Sequence, residues 1–229
     1  MRCRKQQLPD ASAILAAAGS GERLGAGEPK ALVELAGRPM YEWSLDALQG
    51  AESIGGVVIA APPGMADQIE SGDERTRVVE GGGTRTESVL NALALCESEL
   101  VLVHDAARPL ATPDLFDRVI ERVTSDSSLA GAIAASAIHD TVKQVSDDGL
   151  IAATIDRSTL RAAETPQVFR TAALREAIES AGADEATDEA MLVEAAGGSV
   201  ATVESDQENF KVTTTADLER AAAIFATRP

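Results

Sequence analysis

The stretch Ala13-Ile14-Leu15-Ala16-Ala17-Ala18-Gly19-Ser20-Gly21-Glu22-Arg23-Leu24-Gly25, followed by Pro29-Lys30, decides how this chain is read. Its first residues are small and apolar, as a strand buried on both faces requires. The strand then runs into glycines. Without a Cβ the main chain can turn sharply there, and its N–H groups can surround phosphate oxygens. On glycines alone an ordinary βα turn is an equally good reading. Arg23 and Lys30 change the balance, because two fixed cations beside such a loop stand out in a chain of formal net charge -17. They point to a nucleoside triphosphate. A Walker loop is excluded, since no Ser or Thr follows a Gly-Lys pair. The dinucleotide fingerprint is excluded as well: the glycines are spaced one residue too widely, and no acid closes a second strand where ribose recognition would need one. A third kind of phosphate loop remains.

Working outward, the 229 residues suffice for one large α/β domain or two small ones. Hydrophobic residues make up 45% but aromatics only 3%, so the core must be built from Ala, Val, Leu and Ile. The acidity argues against nucleic-acid and anionic-membrane partners. It leaves room for a small anionic substrate, because salt screens a distant field within about 8–10 Å and a local cationic cluster can prevail. The cysteines, Cys3 and Cys96, form no framework, and Cys96 has the place of a buried helix residue. No signal-peptide h-region follows the basic N-terminus, and no apolar run has transmembrane length. A soluble cytoplasmic protein with a mobile segment 1–10 is expected.

Short apolar runs recur at 14–18, 57–61, 77–80, 100–104 and 129–135, separated by stretches with helical spacing such as Val89, Leu93 and Cys96. Thr112-Pro113-Asp114 opens another helix with a cap residue, a proline at the first helical position and an acid in the first turn. Buried strands alternating with helices predict a doubly wound, mostly parallel α/β sheet. The rhythm breaks after Ser136. Residues 141–145 and 150–155 flank Asp147-Asp148-Gly149, a hairpin turn, so an arm over 137–163 should project from a single domain. Such a two-stranded arm is marginal alone in water and should clasp a second copy of the chain. Helices are expected at 171–180 and 188–196. A strand at 199–203 and the stretch Asn209-Phe210-Lys211-Val212 precede a final helix from Thr215 to about Ala226.

Two further segments could carry chemistry. Leu100-Val101-Leu102-Val103-His104-Asp105-Ala106-Ala107-Arg108-Pro109 ends a buried strand in a carboxylate, where an open α/β sheet places ligands. A lone carboxylate beside a triphosphate suits Mg²⁺, which takes one or two carboxylates plus phosphate oxygens and water; a helix-capping Asp is the plainer alternative. Gly81-Gly82-Gly83-Thr84-Arg85-Thr86-Glu87-Ser88 permits close backbone approach, with Ser88 able to meet a base edge. It could equally be a turn capped by Thr84 or Thr86. His104 and His139 are the only histidines, and no G-x-S-x-G elbow or zinc spacing accompanies them. His104 is expected to be a structural residue.

Together these segments resemble the 2-C-methyl-D-erythritol 4-phosphate cytidylyltransferases of the non-mevalonate isoprenoid pathway, over nearly the whole chain. The loop, Pro29-Lys30, Gly81-Gly82 with Arg85 and Ser88-Val89, and Val103 to Pro109 carry the resemblance. So do Asp140-Thr141-Val142-Lys143, Arg157, Thr165-Pro166-Gln167, Thr187-Asp188-Glu189-Ala190 and Lys211-Val212-Thr213. Ala31 and Arg161 depart from the usual pattern. The resemblance implies that CTP and 2-C-methyl-D-erythritol 4-phosphate give 4-diphosphocytidyl-2-C-methyl-D-erythritol and pyrophosphate. It implies that Arg23 and Lys30 stabilise the α-phosphate and that Asp105 holds Mg²⁺. Nucleotide contacts would come from Ala17, Ala18, Gly19, Gly21, Gly82, Arg85, Ser88 and Ala106. Arg157 and Lys211 would position the acceptor phosphate, and Thr141, Arg108 and Thr187 would contact the polyol. Thr141 would complete the pocket of the other protomer in a homodimer. A ribitol 5-phosphate cytidylyltransferase shares most of these features, and a non-catalytic CTP sensor is the alternative of another class.

Overall fold

The computed structural model describes residues 11–19, 28–181 and 187–228. In chain order the elements are β1 (Ala11–Ala16), β2 (Glu34–Leu35), β3 (Arg38–Pro39), α1 (Met40–Gly50), β4 (Ile54–Ala61), β5 (Thr76–Glu80), α2 (Arg85–Leu93), β6 (Leu100–Asp105) and α3 (Pro113–Thr124). Then come β7 (Gly131–Ala137), β8 (Val142–Val145), β9 (Ile151–Ile155), β10 (Arg161–Arg170), α4 (Thr171–Ala181), α5 (Glu189–Ala195), β11 (Val200–Glu204) and α6 (Thr215–Phe225). Seven strands form the central sheet in the order β11-β7-β10-β6-β1-β4-β5. Neighbours pair in parallel except for β10, which is antiparallel to both β6 and β7.

Alternation along each strand feeds two cores. In β6, Leu100 and Leu102 share one core with Leu115, Phe116 and Val119 of α3 and Leu45 and Leu48 of α1. Val101 and Val103 point the other way, to Val89 and Leu93 of α2 and Leu174 and Ile178 of α4. Burying each such side chain contributes about 1.5–3 kcal/mol. A chain poor in aromatics can therefore hold a large sheet through many aliphatic contacts. This is the mostly parallel, doubly wound architecture that the sequence predicts. α3 begins as expected, with the Thr112 hydroxyl accepting from Leu115 N–H at 3.3 Å and Pro113 in the first turn.

The structure departs from the sequence reading in three places. Cys96 is buried as expected but lies just past the end of α2. Helix α1 carried no signal that stood out from its neighbours. Strand β10 runs through a segment whose Pro166, Glu164 and Gln167 deny it the apolar run of a central strand. The fold accommodates them at an irregularity between Ala163 and Gln167, where pairing with β7 is interrupted.

β8 and β9 pair only with each other, as a separate two-stranded sheet. Gly149, at φ 79°, supplies the left-handed turn position between them. Val145, Leu150 and Ile151 are 59%, 65% and 65% exposed on this hairpin. Its root is the pairing of Arg161, Ala162 and Ala163 with the end of β7. After β11 the chain has no regular structure over 209–212, but Val212 N–H donates to Ala107 O at 2.8 Å and pins this stretch beside the β6 terminus.

Candidate active site

In an open α/β sheet, ligands bind beyond the carboxyl ends of the strands, where strand order reverses. Here β4 and β5 lie on one side of β1 and β6 on the other, so the reversal falls between β1 and β6. A cavity of about 740 Å³ opens there, walled by Ala17, Ala18, Gly19, Lys30, Gly82 and Asp105 among others. A smaller one of about 250 Å³ adjoins it, bordered by Arg108, Glu164, Thr165 and Thr187. Arg85, Asp105 and Lys211 line both cavities and form the seam between them.

Backbone geometry shapes the larger cavity. Lys30 N–H donates to Gly19 O at 3.3 Å, closing the two ends of the phosphate-type loop on each other. Ser20, Gly21, Arg23 and Gly25 lie outside the described residues, as does the segment 1–10. Gly81 passes so close to its neighbours that a Cβ there would stand 2.6 Å from Ala61 O and 2.7 Å from Ala18 Cβ. Thr84 caps α2 in a reciprocal box with Glu87. Ser88 is 1% exposed; its hydroxyl accepts from Gly82 N–H at 3.0 Å and donates to Thr84 O at 2.8 Å. The hydroxyl therefore holds the Gly82 turn in shape. Ala106 likewise forms wall, its N–H donating to Ala16 O at 3.1 Å.

At the seam, Asp105 gathers two cations. Lys211 Nζ donates to Oδ2 at 2.6 Å, and Arg85 donates to Oδ1 through Nη2 at 3.2 Å and Nε at 3.4 Å. Burial pushes the Asp105 carboxyl up, but Arg85, Lys211 and Arg108 outweigh burial and hold it well below the usual carboxylate range. Arg85 Nη1 reaches past Asp105 to Glu189 Oε1 at 2.5 Å. Burial opposes the charge of Arg85, yet Glu189 and Asp105 together keep its pKa above the ordinary value. Burial pushes the Glu189 carboxyl upward, against the pull of Arg85.

Behind the smaller cavity, Glu164 accepts from Ser136 Oγ at 2.7 Å through Oε1. Through Oε2 it accepts from Ser205 Oγ at 2.7 Å and Asn209 Nδ2 at 2.9 Å. Its Oε2 also faces Arg108 Nη1 at 3.3 Å. That guanidinium is held further by a 2.7 Å bond to Asn209 O. His104 is fully buried. Its Nε2 faces Arg108 O at 3.2 Å, and a carbonyl can only accept, so Nε2 carries the proton. Nδ1 then accepts from the Thr165 hydroxyl at 3.2 Å, while that oxygen accepts from Asp105 N–H at 3.1 Å. Burial lowers the imidazole pKa to about 4, which keeps it neutral and structural as expected.

The sequence-derived candidates thus divide. Lys30, Asp105, Arg85, Lys211, Arg108, Thr187 and the backbone of Ala17, Ala18, Gly19, Gly82 and Ala106 converge on the cavities. Thr141 and Arg157 do not; both lie exposed, just before β8 and just after β9, and border neither cavity. Three residues had been given no role. Glu189, Glu164 and Asn209 brace the arginines, and nothing in sequence spacing separates such a polar side chain from a solvated one.

Asp105 fits a divalent cation of a particular kind. Among the described residues no cluster of His, Cys, Asp and Glu is large enough to cage a metal. An ionised single carboxylate facing a cavity suits Mg²⁺, which completes its shell with phosphate oxygens and water. Among the described residues no helix is long and apolar enough to cross a membrane.

Comparison with known proteins agrees with this geometry. The 2-C-methyl-D-erythritol 4-phosphate cytidylyltransferase of Parasynechococcus marenigrum is 44% identical over 224 residues, covering 94% of this chain and 97% of that protein. The enzyme of the same name from Frankia casuarinae is 43% identical over 226 residues, covering 95% and 82%. Among solved structures, the 2-C-methyl-D-erythritol 4-phosphate cytidylyltransferase of Thermus thermophilus superposes with a TM-score of 0.79 at 34% identity, covering 95% of this chain and 100% of that one. The 4-diphosphocytidyl-2C-methyl-D-erythritol synthase of Anaerococcus prevotii gives 0.82 at 30% identity, covering 95% and 99%. The family described as IspD, 2-C-methyl-D-erythritol 4-phosphate cytidylyltransferase, matches residues 11–227, and the chain belongs to it.

Proposed function

We propose that this protein transfers a cytidylyl group from CTP to 2-C-methyl-D-erythritol 4-phosphate, forming 4-diphosphocytidyl-2-C-methyl-D-erythritol and pyrophosphate for isoprenoid precursor synthesis. The observation that carries this reading is the seam: a nucleotide-sized cavity and a smaller polar one meet at Arg85, Asp105 and Lys211. A phosphate monoester in the smaller cavity would face a triphosphate in the larger one across these residues.

One oxygen of the monoester attacks the α-phosphorus in line. The bond to the bridging oxygen breaks, and pyrophosphate leaves with that electron pair. The nucleophile is already ionised near neutral pH, so no strong general base is required. The difficulty is to bring two anions together and to carry the charge that develops, which makes positioning and cations the main sources of rate. Lys30, with Arg23, is assigned to the α-phosphate. Ala17, Ala18, Gly19 and Gly82 supply close backbone approach to the nucleotide, Gly21 is assigned to nucleotide binding with them, and Arg85 stands at its phosphate end. Lys211 turns from Asp105 to the acceptor phosphate, with Arg108 and Thr187 beside the polyol. Asp105 would hold Mg²⁺, which when bound would neutralise triphosphate charge.

Thr141 and Arg157 enter the site from the arm of a second copy. The exposed Val145, Leu150 and Ile151 on that arm support a homodimer. A cytoplasmic setting suits a reaction between two soluble phosphates, and the net charge of -17 speaks against a nucleic-acid partner. Pyrophosphate release, measured with each nucleoside triphosphate and with methylerythritol phosphate or ribitol 5-phosphate, tests the assignment. Release with CTP and methylerythritol phosphate is expected. Preference for ribitol 5-phosphate, or CTP binding without release, would refute it.

A further inference from the structure

Arg85 stands at the seam with a carboxylate on either side, and the two are not equivalent. Asp105 lines both cavities and is already shared with Lys211. Glu189 lines neither cavity, and its side chain is 2% exposed behind the guanidinium. The contact to Glu189 is the closer of the two, 2.5 Å against 3.2 and 3.4 Å to Asp105. The residues on either side of Glu189 are held by Gln167 of β10. That amide donates to Asp188 Oδ2 at 3.0 Å and accepts from Ala190 N–H at 3.3 Å. Asp188 in turn caps α5 by accepting from Met191 N–H at 3.0 Å. Arg85 itself opens α2, whose capping box fixes its backbone.

Substrates disturb one side of this arrangement only. An acceptor phosphate competes with Asp105 for Lys211, and a cation at Asp105 competes with Arg85 for its oxygens. A guanidinium paired to Asp105 alone would follow that carboxylate or collapse onto it in a two-pronged pair. A partner out of reach of every substrate keeps it where the reacting phosphates meet. We propose that Glu189 is a positioning residue that anchors Arg85 at the seam, so that Arg85 keeps its place while Asp105 and Lys211 exchange partners with the substrates. The inference rests on the cytidylyltransferase reading for its kinetic consequence, and on the geometry alone for the anchor.

Glu189→Gln keeps the size and an acceptor but removes the charge. Because a misplacement of about 1 Å can cost about 10²-fold in rate, kcat should fall by that order while the CTP KM changes little. Arg85→Met removes the anchored group. Adding Glu189→Gln to Arg85→Met should cost nothing further, because Glu189 acts only through Arg85. Near-normal kcat in Glu189→Gln overturns the proposal, and so does a loss in the double variant beyond that of Arg85→Met. If Glu189→Gln alone fails to fold, the comparison of the double variant with Arg85→Met still decides, since both charges of the pair are then removed together. Nitrogen NMR of the Arg85 guanidinium gives a readout without turnover. Slow rotation is expected in the native protein and faster rotation in Glu189→Gln; unchanged rotation overturns the anchor. If the native protein releases no pyrophosphate, the cytidylyltransferase reading fails, while this spectrum still tests Glu189.

Discussion

Between about pH 7 and pH 5, acidification should destabilise this protein through His104. Its imidazole is fully buried, and burial holds the folded-state pKa down to about 4. In the unfolded chain a histidine titrates near about 6.5. Between these values the unfolded state binds a proton that the folded state refuses, so stability falls as pH drops through that window, and the loss is complete below the folded pKa. With these two pKa values, linkage gives a loss of about 2 kcal/mol between about pH 7 and pH 5, and about 3 kcal/mol in full. Two other buried acids act differently. Asp105, held low, loses its stabilising ionisation only at pH below the ordinary carboxylate range, outside this window. Glu189, held high, opposes the His104 effect toward the acid end, because its folded form takes up the proton more readily. A difference measurement separates them. Urea unfolding of the native protein and of His104→Gln at both pH values should show the native protein losing about 2 kcal/mol more than the variant. Equal losses in the two proteins would refute the assignment of His104 as a buried neutral imidazole.

Lys30→Ala should lower kcat by about 10²–10³-fold while calorimetric CTP binding stays comparatively intact, since its ammonium is assigned to charge that develops in the transition state. Near-normal turnover would remove Lys30 from that role. Arg157→Ala and Lys211→Ala should each raise the acceptor KM far more than the CTP KM; equal effects on both substrates would contradict the division into two subsites. Replacing Leu150 and Ile151 by Asp places charge on apolar surface whose burial contributes about 1.5–3 kcal/mol per side chain. Sedimentation should then show monomers that bind CTP but no longer turn over the acceptor, whereas an active monomer of the native protein would sink the shared-site dimer.

The sheet was legible because its strands are continuous apolar runs ending in chemically distinctive residues: β1 in the loop before Lys30, β6 in Asp105. Those runs placed the carboxyl edge, and hence the larger cavity, from sequence alone. β10 was not legible. Pro166 and its polar neighbours look like loop, and only an interruption in the β7 pairing lets them sit in a sheet interior. The acceptor side suffered for the same reason. Arg108 was identifiable as a cation at a strand end, but Glu164 became visible as its counter-ion only when the Asn209 and Ser205 bonds, distant in sequence, were seen to converge. Ser88 shows the reverse case. Its place beside the larger cavity was readable, while its role in holding the Gly82 turn depended on two bonds that spacing does not reveal.

The pairing of Arg85, Arg108 and Lys211 with carboxylates also bears on how fast substrate arrives. Arg85, Arg108 and Lys211 already touch Glu189, Glu164 and Asp105, so the field they project beyond the cavity mouth is weak. The protein as a whole carries a formal charge of -17 and repels a free triphosphate at long range. Enzymes that steer anions lose association rate as salt rises. Here the balance inverts: screening over about 8–10 Å removes repulsion before it removes attraction, and moderate salt should quicken the capture of CTP.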